Sequence, residues 1–187
     1  KSLLGTSAVY VDRAELDISD ELAVKNFLEK NRFDGIVNCA AYTAVDKAED
    51  EPAEADRINH LGPKWLAKYG KCIIHISTDY VFDGTAHIPY SENDRPNPVS
   101  AYGRTKLAGE KAVLEQAETA IIIRTAWLYS LHGSNFVKTM LRLGRTRDSL
   151  NVVCDQIGSP TSAADLAKAI VEILPQINLK KKEIYHF

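Results

Sequence analysis

The sequence predicts an α/β fold: a doubly wound parallel sheet with helices packed against both faces. Three observations carry this. Short apolar runs alternate along the chain with longer segments of helical periodicity, the order expected of repeated βαβ units. The run Ala120–Thr125 is nearly continuous in apolar residues, as strands buried on both faces are. Small and hydroxyl residues gather where runs end, at Asn38–Thr43 and Ser77–Thr78, the carboxyl edge along which such sheets bind ligands.

Each element follows in order. Lys1–Gly5 reads as the tail of a helix, and Ala8–Val11 as a short strand. Ser19 is the expected N-cap of a helix whose stripe is Leu22, Ala23, Phe27 and Leu28. Gly35–Ala40 is the next strand. Pro52 suits the first turn of a helix that continues through Ala55, Ile58, Leu61 and Leu66 until Gly70 stops it. Cys72–Ser77 is a strand, Ala101–Gln116 a helix and Ala120–Thr125 a strand. Asn135–Leu143 and Ala163–Leu174 read as helices, and Glu183–Phe187 as a last strand. The stretch from Asp83 to Ser100, with Pro89, Pro96 and Pro98, is a long polar loop of the kind that usually serves function.

Composition narrows the class. The 187 residues are 45% hydrophobic and 26% charged with a formal net charge of −2, which fits one globular domain. That balance supplies no broad field to attract nucleic acid or an anionic membrane. No apolar run approaches the roughly 20 residues of a membrane span. Cys39, Cys72 and Cys154 form no Cys-x-x-Cys pair and read as small buried core residues. His75 reads as a core residue; His60, His87, His132 and His186 lack metal spacing, so no metal site is expected. The acidic run Asp46–Asp56 reads as a solvated helix face.

The chemistry-bearing pattern is Tyr102-Gly103-Arg104-Thr105-Lys106. On a helix this spacing puts a phenol and an ammonium one turn apart on one face. Such a cation is expected to lower the tyrosine from its ordinary value of about 10, making the phenol a usable proton donor and acceptor near neutrality. With the Thr78 hydroxyl at the end of a strand nearby, the set suits reduction of a carbonyl by a nicotinamide.

Asn38-Cys39-Ala40-Ala41, then Ser77-Thr78-Asp79-Tyr80-Val81-Phe82-Asp83-Gly84, then Tyr102 through Glu110 follow in order, as do Arg124-Thr125-Ala126-Trp127-Leu128-Tyr129 and Asp155-Gln156-Ile157-Gly158-Ser159-Pro160-Thr161. On these blocks the chain resembles the extended short-chain dehydrogenase/reductase family, most closely its dTDP-4-dehydrorhamnose reductases. The resemblance implies a Rossmann-like fold and NAD(P)H-dependent reduction of the 4-keto group of dTDP-4-dehydro-L-rhamnose, for polysaccharide synthesis in the cytoplasm. It implies Tyr102, Lys106 and Thr78 as catalytic residues. Asp17, Ile18, Ala40, Ala41 and Thr43, with Tyr102 and Lys106, would hold the cofactor. Thr78, Asp79 and Trp127 would hold the sugar nucleotide. Asn59 matches a helix asparagine near the site in related reductases.

Within the same resemblance, residues 1–187 form a single NAD(P)-binding domain, with 83–100 and 127–165 contributing to a substrate lobe. The chain has no Gly-x-Gly-x-x-Gly, so a first strand and phosphate loop are expected upstream of Lys1, and further substrate-lobe residues after Phe187. NADH and NADPH stay open, because Asp12 suits ribose hydroxyls and Arg13 a 2′-phosphate. A homodimer and a Mg2+ ion are compatible with the family, though no residue pattern specifies either. Two alternatives share the fold: a regulatory subunit resembling the methionine adenosyltransferase beta subunit, and a nucleotide-sugar epimerase.

Overall fold

The computed structural model describes residues 3–5, 8–177 and 181–187. Helix α1 is Glu21–Lys30, with Glu21 in its first turn and Lys30 in its last, each favourable to the helix dipole. Asp20 rather than Ser19 caps it, accepting from Ala23 N at 3.0 Å. Ser19 is diverted: its N–H and hydroxyl both donate to Asp17 Oδ1, at 2.9 and 2.6 Å. Strand β1 is Ile36–Asn38. Helices α2 (Lys47–Asp50) and α3 (Pro52–Asp56) lead into a π-helical turn at Arg57–Leu61 and then α4, Gly62–Gly70.

The single helix expected from Pro52 to Gly70 is therefore broken by a π turn, and Asn59 explains the break. Its side chain is fully buried and accepts from Tyr42 N while donating to Tyr42 O and to Thr105 Oγ1. A widened turn lets one polar side chain point inward, and such turns concentrate at functional sites.

Strand β2 is Cys72–Thr78, followed by a 3₁₀ turn at Asp79–Val81. Helix α5 spans Ala101–Gln116, with Ser100 Oγ capping Gly103 N at 3.0 Å. Then come β3 (Thr119–Thr125), β4 (Leu128–Tyr129), α6 (Phe136–Gly144, capped by Asn135), β5 (Thr161–Ser162), α7 (Ala163–Ile173) and β6 (Lys182–His186). The main sheet runs β1-β2-β3-β6, parallel throughout. A second sheet, the parallel pair β4–β5, had no strand signal in its two-residue segments.

Helices cover both faces. Ile73, Ala120 and Ile122 pack with Val24, Leu66 and Val113 from α1, α4 and α5. Ile74, Ile121 and Ile123 pack with Leu166 and Ile170 from α7. Strand alternation thus assigns Asn38, His75, Ser77 and Arg124 to the α5 face, and Thr78 and Thr125 to the α7 face.

Three further expectations fail. Ala8–Val11 is not a strand; Val9 and Val11 stay exposed, and a strand needs a ladder to satisfy its backbone. Cys39 and Cys154 are exposed, because each lies beyond the strand or helix that would bury it; Cys72 is half-buried. Leu3 and Leu4 lie in a turn, whereas Lys1 and Ser2 are outside the described residues. Among the described residues no helix is long and apolar enough to cross a membrane.

Candidate active site

The carboxyl ends of β1, β2 and β3 converge on the first turns of α5. Two glycines make the approach close. A Cβ on Gly103 would fall 2.2 Å from Tyr80 O, and one on Gly109 would fall 2.1 Å from Asn59 O. Backbone of the 3₁₀ turn and of the π turn therefore lies directly on the helix that carries Tyr102 and Lys106.

Tyr102 is 8% exposed, with its ring edge-on to Tyr80 at 5.4 Å between centroids. The Thr78 hydroxyl stands close enough to its phenol to favour the ionised form. Thr78 also donates to Asp79 Oδ1 at 3.1 Å. Phenol, hydroxyl and carboxyl thus form one group at the end of β2. Burial raises the Tyr102 pKa above its ordinary value, and Asp79 and Tyr80 push the same way against the Thr78 hydroxyl. This corrects the expected lowering. Lys106, the cation meant to stabilise the phenolate, donates instead from Nζ to Ile76 O at 2.7 Å.

Lys106 itself is 1% exposed, and desolvation draws its ammonium down to about 8 against the support of Glu110 and Cys39. Asp79 shifts upward, chiefly through burial. A carboxyl and an ammonium both eased toward their neutral forms, beside a buried phenol, make a set that can exchange protons at modest cost.

Beneath this group runs a polar layer that sequence reasoning missed. Glu110 and Arg124, 1% and 4% exposed, pair through two hydrogen bonds of 2.9 and 2.7 Å. Ser77 Oγ donates to Glu110 Oε1 at 2.5 Å. Arg124 Nη1 lies 3.4 Å from His186 Nε2, and its guanidinium stacks over Phe82. His186 Nδ1 is 3.1 Å from Tyr90 O, and its backbone N–H donates to Glu92. The layer fastens the loop between Asp83 and Ser100 to the sheet. Asp83 organises that loop by accepting from Thr85, Tyr90 and Asn97, which hold its carboxyl well below the ordinary range. A signal existed: Glu110 sits one helical turn after Lys106, and Arg124 is a lone charge in an apolar strand.

His75 is fully buried; Asn38 Nδ2 lies 3.1 Å from its Nδ1, while Nε2 has no partner among the described residues. Desolvation, then Lys106, keeps the ring well below its ordinary pKa and hence neutral.

Asp79 and Trp127 line a cleft of about 480 Å³, together with Tyr90, Arg124, Thr125 and the segment from Asp155 to Ser159. Trp127 adopts φ +47°, a left-handed conformation that costs a bulky residue energy and often marks function. Its indole rests on Gly158, where an added Cβ would lie 3.0 Å away. Ala40 and Thr43 are exposed and Ala41 half-buried just beyond β1. Asn38 and Asn59 fix that segment by accepting from Ala40 N and Tyr42 N. Asp17 and Ile18 stand apart from the Tyr102 group. The Asp17 carboxylate is held low by Ser19, with Arg13 and Arg57 each 3.9 Å off. Ile18 packs against Gly62 and the core below α4. Among the described residues no group of three or more His, Cys, Asp or Glu could hold a metal ion.

The family described as the RmlD substrate binding domain matches residues 2–187. A dTDP-4-dehydrorhamnose reductase of Sinorhizobium fredii is 50% identical over 165 residues, which cover 86% of this chain and 56% of that protein. The crystal structure of a dTDP-4-dehydrorhamnose reductase from Clostridium acetobutylicum superposes with TM-score 0.93 at 44% identity, covering all of this chain and 68% of that one. The Bacillus anthracis dTDP-4-dehydrorhamnose reductase, solved in complex with NADP, gives TM-score 0.90 at 41% identity over 95% of this chain and 63% of that one. The chain thus spans little more than half the length of the curated Sinorhizobium relative.

Proposed function

The chain belongs to the RmlD substrate binding domain family, and from that premise we propose that it works as a dTDP-4-dehydrorhamnose reductase. The reaction is reduction of the 4-keto group of dTDP-4-dehydro-L-rhamnose, carried out in the cytoplasm. The observation that carries the reading is the group of Tyr102, Thr78 and Asp79, the first two buried, at the edge of a cleft lined by Asp79 and Trp127.

Residues of this chain suit a nicotinamide cofactor. The small residues Ala40, Ala41 and Thr43, of which the first and last are exposed, are pinned from below by two asparagines and leave room for a flat group to lie on the backbone. Lys106, buried beside it, offers a cation to ribose hydroxyls. We take NADPH as the cofactor: Arg13, mostly exposed and paired with Glu54 through Nη2, keeps further N–H groups that suit a 2′-phosphate. The cofactor, when bound, supplies the hydride.

The roles of the chain's own groups follow from their positions. Tyr102 gives its phenolic proton to the carbonyl oxygen as charge develops there; its raised pKa keeps that proton in place until needed. Thr78 orients the same oxygen. Asp79 and Trp127 hold the sugar, and the loop from residue 83 to 100 walls the cleft against water. Residues 1–187 act as one cofactor-binding domain, to which 83–100 and 127–165 add sugar contacts.

The test is direct. The protein expressed from its complete reading frame is expected to oxidise NADPH on addition of dTDP-4-dehydro-L-rhamnose, yielding dTDP-L-rhamnose. Binding of the sugar nucleotide without NADPH oxidation would sink the proposal.

A further inference from the structure

Thr125 ends β3 with a hydroxyl that no described residue satisfies, although the residue is only 7% exposed. A buried polar atom without a partner is costly, and its presence calls for a partner from outside the chain. The position says which side that partner comes from. Thr125 lines the same cleft as Asp79, Trp127 and Gly158.

Register adds a second constraint. Thr125 is the in-register neighbour of Thr78, and alternation puts both side chains on the α7 face. Adjacent strands lie about 4.8 Å apart, so an oxygen seated between two such hydroxyls can stand about 2.8 Å from each. The Thr78 hydroxyl already donates to Asp79 and stands close to Tyr102. Thr125 is the uncommitted hydroxyl at this edge of the sheet.

We propose that Thr125 is a specificity-determining residue whose hydroxyl hydrogen-bonds an oxygen of the sugar ring beside the carbonyl that is reduced. The inference rests on the reductase reading above and adds a contact to it. It explains why a threonine stands where valine, equal in shape, would avoid an unpaired group.

The test compares Thr125→Val and Thr125→Ser with the unaltered protein, each with NADPH. Thr125→Val is expected to lower kcat/KM for the dTDP-4-keto sugar by about tenfold, while Thr125→Ser retains most of it. The KM for NADPH stays within about twofold, and the thermal midpoint is unchanged or raised, because no internal hydrogen bond is lost. An unchanged kcat/KM, a loss confined to the NADPH KM, or a lowered thermal midpoint with unaltered sugar kinetics would each overturn the proposal. Should the unaltered protein reduce no such sugar, the reductase reading fails by itself. Thr125 is then judged by calorimetric binding of dTDP-L-rhamnose: about tenfold weaker binding to Thr125→Val supports the contact, and equal binding overturns it.

Discussion

Lys106 spends its charge in a place that disfavours it, and the consequence is a pH signature. Its ammonium titrates at about 8 in the folded protein, against an ordinary lysine value near 10.5. Between those values the unfolded chain binds more protons than the native one, so stability from this residue rises with pH across that window. Below about pH 8 the penalty is complete, roughly 3 kcal/mol by the size of the shift. Denaturant titrations of the unaltered protein and Lys106→Met should therefore converge or cross as pH climbs from about 8 to 10, the unaltered protein gaining relative to the variant. Parallel curves across that range would show that the ammonium is not desolvated. Glu110 and Arg124 show the compensated form of the same problem. Each buried charge faces the other through a bidentate pair, with Ser77 also donating to Glu110 Oε1, and removing one partner of such a pair typically costs about 3–5 kcal/mol.

Helix α5 is the element on which the arrangement turns, and its fit depends on glycine where glycine is not needed for the backbone. Gly109 lies under Asn59 O so closely that any Cβ must separate α5 from the π turn. That turn holds Asn59, which fixes the backbone of Tyr42. Gly109→Ala should destabilise by about 1–3 kcal/mol despite the better helix propensity of alanine. Gly144, in α6, has nothing within 4 Å of an added Cβ, so the same substitution there should be neutral or stabilise by about 0.5–1 kcal/mol. Thermal denaturation of the two variants compares the signs; equal effects would mean that the close helix approach is not a constraint. The bounds of α5 were legible because local chemistry sets them: Ser100 caps, alanines and long straight side chains propagate, and no Gly or Pro follows Gly109 before the helix ends. The π turn was not, because its cause is one buried asparagine meeting Tyr42 and Thr105 from distant parts of the chain.

For the molecule as a whole, the parallel sheet could be read from alternating apolar runs, whereas electrostatics could not. Spacing places Tyr102 and Lys106 on one helix face, yet only packing decides that the ammonium turns to Ile76 O and that burial raises the phenol. The Glu110–Arg124 layer escaped for the same reason, since its partners come from a helix and a strand joined only in the fold. Likewise Thr125 looked like the end of an apolar strand until the residue was found in a cleft wall with its hydroxyl unpartnered. What unites these features is a sheet edge where β2 brings a hydroxyl to a buried phenol and β3 ends in an unpartnered one, above a charge layer that ties down the cleft-forming loop. The most direct check is turnover of Tyr102→Phe in the protein from its complete reading frame, with NADPH and dTDP-4-dehydro-L-rhamnose. The account predicts a fall in kcat of about a hundredfold to ten-thousandfold, with dTDP-L-rhamnose bound as tightly as before. Turnover within a few-fold of the unaltered protein would contradict it.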